Sequence, residues 1–568
     1  MATFIGSDKD DFFSGAAGPD AYDGKGGHDT VSYENSPQGL NIFMIPSGDA
    51  NGYAAGDSMI SIEAIRGTNF ADFIHGNELD NWLYGLNGND TLYGYRGNNH
   101  LYGGPGTDNL IGGPGIDFID GGEGVDTLSY QLAPGGVTVS LVDPSINTGW
   151  AQGDTYINIQ DVTGTDYDDI IHGDEQAINN LWGLAGNDIL YGGKAGYNVL
   201  IGDAGADQLI GTPTSKDMAD YETADGPVIA SLANPAINTG HAKGDSYVHI
   251  NDLAGGKFND ILYGDHLKND FDAWPGDDIV YGGAGNDGLF GNNGNDLLYG
   301  EDDWDLIDGG NGRDSAGFHG PIANYRVWFG DGWVNGQYFE SLKGRWLVMD
   351  RVGNEGLDTL VNIEAVRFAD KTVNLTVKQS AAGISAGDLK LLQELYVAFF
   401  NRVPDADGLE YWIGEFRAGK SIENIAEIFY AAGVAASHVT GYHASMSHAD
   451  FVNKIYQNVL GRSEGADADG LAYWSGALAN GTETRGSLVK TILQSAHTFK
   501  GNAQWGWVAD LLDNKAAVAN TFAVQMGLSF LTPEESIGKG MEITAAVTAS
   551  DISAALTLIG VTANEVAL

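Results

Sequence analysis

Apolar residues recur every nine positions through much of the chain: Leu92, Leu101, Leu110, Ile119 and Leu128, and later Val280, Leu289, Leu298 and Ile307. A helix repeats its buried face about every 3.6 residues and a strand every two, so a period of nine is neither. It predicts a turn and a short strand, then another turn and another strand. Strands this short need copies of themselves to lean on. The pattern therefore predicts a solenoid whose thin core takes one inward side chain from each nonapeptide.

Three longer inserts interrupt the nines. They read TVSYENSPQGLNIFM after Asp29, TLSYQLAPGGVTVSL after Asp126 and YETADGPVIASL after Asp220, each continuing to a Gly-Asp turn at Asp57, Asp154 or Asp245. Alternation as in VTVSL and YINI predicts longer strands there. From Ala323 the aromatic segment NYRVWFGDGWVNGQYFE predicts strands that cover the last coil of the solenoid.

Near Gly383 the period becomes helical. Leu392, Leu395, Tyr396, Phe399 and Phe400 share one helix side, Pro404 and Gly408 break it, and Leu409, Trp412, Ile413 and Phe416 begin the next. Ser421 is placed as an N-cap. The unit recurs: Arg402, Asp407, Gly408, Tyr411 and Trp412 correspond to Arg462, Asp469, Gly470, Tyr473 and Trp474. The tail from Trp505 is read as further helices.

Composition changes the picture at one point. The 568 residues carry 77 acidic and 28 basic side chains, a formal charge of -49, with 83 glycines and no cysteine. This excess opposes compaction and argues against nucleic acid as a partner. The missing cysteine excludes disulfides and thiolate metal sites. MATFIGSDKDDFF lacks the basic and apolar regions of a cleavable signal peptide, and no apolar run is long enough for a membrane span.

The acids keep step with the apolar residues. Asp11, Asp20 and Asp29 form one series, and Asp72, Asn81, Asp90, Asn99, Asp108, Asp117 and Asp126 a second. Asp169 follows the second insert, then Asp188, Asn198 and Asp207 with a slip of one residue. Asp260, Asn269, Asp278, Asp287, Asp296, Asp305 and Asp314 form the most regular run. Acids held beside glycine turns, whose carbonyls lie open, suit a hard cation that takes many oxygen ligands, and calcium suits better than magnesium. The asparagines offer an amide oxygen without charge, so their coils are expected to bind more weakly or to lack an ion.

Stretches such as GGPGTDNLIGGPGIDFID resemble the RTX (repeats-in-toxin) family. The resemblance implies a parallel β-roll with two nonapeptides per coil and several calcium ions in its turns, the acids and amides above being the candidate ligands. The Arg-x-Pro-Asp-x-x-Gly-x-x-Tyr-Trp unit resembles the DUF4214 helical domains, which accompany RTX repeats in secreted bacterial proteins. The fold expected is thus a mostly β N-terminal part, a β-roll or β-solenoid, followed by an all-α domain. The expected boundaries are repeat modules at 1–125, 126–219 and 220–318, an aromatic β cap at 319–378, a DUF4214-like domain at 385–500, and a helical tail at 501–568 holding a C-terminal secretion signal.

No HExxH motif occurs and no nucleophile elbow is read in the chain, no catalytic residue is assigned, and the chain is expected not to be an enzyme. The expected role is a secreted calcium-binding structural or adhesive protein of the cell surface or matrix, exported by type I secretion machinery. The alternatives are a carbohydrate-binding protein or a polysaccharide lyase, epimerase or hydrolase. Self-assembly or a surface polysaccharide is the expected partner beside calcium, and Trp82, Trp150, Trp182 and Trp274, in or near loops, are candidate glycan contacts. In the helical part, Asp405 and Asp407 resemble the start of a calcium loop, but Arg402 pairing with Asp407 to brace a turn is the favoured reading.

Overall fold

The computed structural model describes residues 2–45, 49–175, 178–194, 196–334, 337–562 and 565–568. The chain forms two compact units, Met1–Asn292 and Asn293–Leu568.

The first unit is built mainly of three-residue strands paired in parallel. Thr91–Tyr93 lies between Phe73–His75 and Asn109–Ile111, while Trp82–Tyr84, His100–Gly106 and Phe118–Gly124 stack as a separate series. Leu92 is in register with Leu110, and Leu101 with Ile119. Two nonapeptides therefore complete one coil, and consecutive nonapeptides lie in different sheets. The middle residue of each strand points inward, so Leu83, Leu92, Leu101, Leu110, Ile119 and Leu128 form buried columns. Each such side chain gains about 1.5–3 kcal/mol from burial, which isolated strands of this length lack. Between Asp169 and Asp217 the coil is one residue longer: Ile171 pairs with Leu190 and Leu190 with Leu209.

At each insert one sheet runs through, another ends and a third begins. At the first insert Val31 pairs with Ile65 and its sheet continues, the sheet Ala2–Ile5, Asp20–Asp23, Ser58–Ile60 ends, and a new sheet starts at Asn41–Phe43. At the second insert a seven-stranded sheet ends at Thr155–Ile157 and a five-stranded sheet starts at Thr138–Ser140. At the third, that sheet ends at Ser246–Val248 and the next starts at Ile229–Ser231. The strands in the inserts are three residues long, not the longer ones expected from their alternation. Pro144 and Pro235 open 3-10 turns, and Asn147 and Asn238 accept the Ser140 and Ser231 N–H groups, which pulls the chain away from the sheet.

In the second unit the parallel pairing of Leu297–Asp302 with Ser315–Gly317 gives way to antiparallel strands. Tyr325–Phe329, Trp346–Asp350 and Leu357–Val361 pair in turn, around a small core of Trp328, Val334, Leu347 and Leu357. Helices Ala386–Phe400, Ala406–Arg417, Ile422–Ala435, His448–Leu460, Ala468–Asn480, Arg485–His497 and Gly506–Asn520 follow. They close over Leu395, Phe399, Phe451, Ile455 and Leu488. Ser421 accepts the Asn424 N–H as an N-cap. Gly408 lies inside Ala406–Arg417 rather than breaking a helix, so Pro404 alone marks the interruption.

The tail departs from the helical expectation in two places. After a π-helical turn, Gly527 takes a positive φ of 61° and Leu528–Phe530 becomes a strand on Lys371–Asn374. Val566–Ala567 pairs in parallel with Tyr325–Phe329. Both short apolar segments find free edges of the antiparallel sheets, and edge pairing outweighs the local helical preference.

Candidate metal centre

The repeat acids stand just ahead of the strands, and their side chains form ladders. Asp90 Oδ1 accepts the Asp72 N–H at 2.8 Å, Asp108 the Asp90 N–H at 2.7 Å, and Asp126 the Asp108 N–H at 2.9 Å. At the opposite turns Asn99 accepts from Asn81, Asp117 from Asn99 at 2.6 Å, and Asp154 from Asp117 at 2.8 Å. Asp29 accepts from Asp11, Asp57 from Asp20, Asp188 from Asp169, Asp207 from Asp188, Asp278 from Asp260 and Asp287 from Asn269 in the same way. In the second unit Asp314 accepts from Asp296 and Asp358 from Asp305. Asp20 itself accepts the Ala2 N–H.

The ladders include residues that counting in nines missed. Asn179 donates to Asn198, and Asn198 to Asp217, rungs hidden by the longer coil. Glu63, Gln160 and Glu364 accept from Asp29, Asp126 and Asp314 where an insert or the cap supplies the next coil.

The second side-chain atom sorts the rungs. Asp29, Asp90, Asp108, Asp117, Asp126, Asp188 and Asp207 are buried with Oδ2 lacking any hydrogen-bond donor. A Cβ on Gly85 would overlap both Asp90 Oδ2 and the Gly103 carbonyl, and one on Gly103 would overlap Asp108 Oδ2 and the Gly121 carbonyl. Glycine is thus required for a carboxylate oxygen and a carbonyl of the next coil to converge, two negative ends brought together away from water. Burial, reinforced by neighbouring carboxylates, pushes Asp90 up to about 7 and Asp188 up to about 8. Burial likewise pushes Asp117 up to about 7, and Asp108 and Asp207 up to about 6. Bare carboxylate and carbonyl oxygens are the donor set calcium takes, so these residues fit it. When bound, calcium supplies the positive charge that these oxygens lack.

The asparagine rungs solve the same problem without a cation. Asn99 Nδ2 donates to the Gly112 carbonyl at 3.2 Å, and Asn81 Nδ2 to the Gly94 carbonyl at 3.3 Å. Asn198 Nδ2 donates to the Gly193 carbonyl at 2.9 Å, and Asn269 Nδ2 to the Asn251 carbonyl at 2.6 Å. A third group of rungs is satisfied by its own turn. Asp11, Asp72, Asp169 and Asp260 each accept, on Oδ2, the N–H of the residue four positions back, at 2.5–2.6 Å. Asp278, Asp287, Asp296, Asp305 and Asp314 are buried ladder rungs, with Asp287 pushed by burial up to about 6. Among the described residues no three His, Asp or Glu side chains form a group that could hold a metal ion by themselves. The roll spaces its carboxylates one coil apart, and backbone carbonyls stand between them.

The candidate glycan tryptophans are spread out. Trp82 and Trp182 lie on strands, Trp82 stacked on His100 at 4.6 Å, while Trp150 sits in a 3-10 turn and Trp274 in a turn with φ 65°. All four are half-buried. In the helical domain Arg402 pairs with Asp405 at 3.0 Å, not with Asp407. Asp407 takes donors from Asn374 and Arg313, both at 2.8 Å. The second copy repeats this, Arg462 pairing with Asp467 at 3.1 Å. Asp405 and Asp467 thus correspond as the arginine partners, both at the N-caps of their helices, while Asp407 and Asp469 follow two residues later.

Fold and ladders together define a calcium-binding β-roll repeat protein with a helical C-terminal domain. The model of the RTX calcium-binding nonapeptide repeat matches residues 3–31, 66–101, 102–130, 163–195, 193–212, 269–289 and 289–316, and that of the domain of unknown function DUF4214 matches 431–501. The repeats belong to the RTX family, and the helical part carries a DUF4214 domain. A search of curated proteins returned no match to the chain. No helix among the described residues is long and apolar enough to cross a membrane.

Proposed function

We propose that the protein is a secreted structural or adhesive protein of the cell surface or extracellular matrix, not an enzyme, and that calcium outside the cell completes its folding. The observation that carries this reading is the set of buried Oδ2 atoms without donors, repeated from Asp29 to Asp207. In cytosol, where free calcium is low, these acids and the net charge of -49 favour an extended chain suited to type I export. In millimolar calcium the roll folds and serves as a shaft, with the helical domain as the attachment or assembly surface. The test is circular dichroism with light scattering and negative-stain imaging of the full chain, with and without calcium. The expected result is β structure gained and ordered oligomers formed on calcium addition. A compact monomer in excess calcium that cleaves a polysaccharide would overturn the reading.

One observation favours carbohydrate binding as a second reading. A cleft of about 250 Å³ in the helical domain is lined by Tyr456, Arg462, Asp467, Trp474 and Trp505, with Trp474 Nε1 donating to the Tyr456 hydroxyl at 3.0 Å. Aromatic faces beside a charged pair suit a sugar ring. A glycan array probed in calcium tests this, and no binding at millimolar glycan removes it.

A further inference from the structure

Where a sheet of the roll ends, the ladder also ends, on a residue of a different kind. The terminal strands Ser58–Ile60, Thr155–Ile157 and Ser246–Val248 are each preceded by one aspartate: Asp57, Asp154 and Asp245. Oδ1 of each accepts the N–H of the previous rung, Asp20, Asp117 or Asp207, at 2.7, 2.8 and 2.9 Å. Their own N–H groups turn back to Ala54, Ala151 and Ala242, all at 3.2 Å, so no further rung is called for.

Oδ2, bare in the calcium-type rungs, here accepts a buried tyrosine hydroxyl. Tyr33, Tyr130 and Tyr221 donate to it at 2.6, 2.8 and 2.8 Å, each from 24 residues upstream. In the second and third inserts the bond is backed up. The Tyr156 and Tyr247 hydroxyls meet those of Tyr130 and Tyr221, and Asn147 and Asn238 donate to them at 2.9 Å. The first insert has Met59 and Ala50 in place of that second tyrosine and asparagine, so it keeps only the simple pair.

We propose that Asp57, Asp154 and Asp245 are calcium-free locks: each closes a ladder with a tyrosine hydroxyl on the oxygen that the bare rungs offer to a cation. The hydroxyl supplies the positive end of a dipole at the place where calcium would supply a charge, and the tyrosine ring fills the space a hydrated ion would need. Calcium is thus confined to the coils between inserts, and the inserts are joints that hold once the coils have folded. The proposal rests on the calcium reading of the bare rungs, so the experiment tests the two separately.

Calcium bound per full-length chain is measured by equilibrium dialysis, with circular dichroism as the folding control. Asp108→Asn is expected to lose bound calcium. Asp154→Asn and Asp245→Asn are expected to keep the wild-type count while melting at lower temperature in saturating calcium. Tyr130→Phe, which leaves all carboxylates in place, is expected to do the same and decides the matter if the asparagine variants fail to fold. Loss of calcium in Asp154→Asn with β structure intact, or in Tyr130→Phe, overturns the locks. An unchanged melting temperature in Tyr130→Phe also overturns them. Full retention by Asp108→Asn overturns the ladder reading and the contrast built on it.

Discussion

Protons and calcium should compete for the bare rungs, and that competition sets the pH at which the calcium-free roll can fold. Asp90 is raised by burial and its neighbours up to about 7. Against an unfolded value of about 3.9, that is close to three units, or about 4 kcal/mol lost when the folded chain must carry the charge. Asp117, also up to about 7, adds a similar amount. Two such acids already approach the 5–15 kcal/mol, roughly, that holds a whole domain together. Because the folded state binds protons more tightly, the contribution favours folding below about pH 4 and is lost as pH rises through the folded values of about 6 to 8. With chelator present, the full chain should show little β signal at about pH 8 and recover it on acidification to about pH 5, while calcium at about pH 8 should restore the same signal. Relief of general charge repulsion would produce a salt-dependent recovery, so Asp90→Asn separates the causes. An amide there can donate to the Gly103 carbonyl as Asn99 does to Gly112. The variant should therefore fold more readily without calcium at about pH 8, yet bind calcium more weakly. A variant less stable in chelator than the parent, or a β signal that acid leaves unchanged, would refute the reasoning.

Leu110→Ala should cost about 2–5 kcal/mol in saturating calcium, because the buried column has no neighbour able to close the gap, and chemical denaturation would show it. Gly103→Ala should lower calcium affinity in its coil, since the new methyl overlaps Asp108 Oδ2 and the Gly121 carbonyl; calorimetric titration reads the loss. Burial lowers Lys515 to about 8, although it donates to the Asn401 side chain and the Asn458 carbonyl. Its charge thus opposes folding by about 3 kcal/mol below pH 8, a penalty that fades towards pH 10. Denaturation of the helical domain should show stability rising over that interval, and Lys515→Met should abolish the rise.

The roll was legible because its signals are local and in phase. An inward apolar residue every nine positions fixes the repeat, and the family resemblance, which implies two repeats per coil, sets Leu92 beside Leu110. Asn179 and Asp217 were lost when the coil grew by one residue; counting at 19 would have found them. The tyrosine locks were half visible, since Tyr and Asp keep the same spacing in all three inserts, but only folding shows that a hydroxyl meets the oxygen left bare elsewhere. The strand Leu528–Phe530 had no local signal, because the edge it completes lies more than 150 residues away at Lys371–Asn374. Asp405 and Asp407 are separated by one residue, and pattern alone could not say which faces Arg402.

Because every interrupted sheet is closed by its own insert, a unit from one insert to the next leaves no rung unfinished at its end. Such a unit can be duplicated or excised in the gene without exposing a raw edge in the protein. The number of coils is then open to change by recombination, while the antiparallel cap and the helical domain are inherited unaltered.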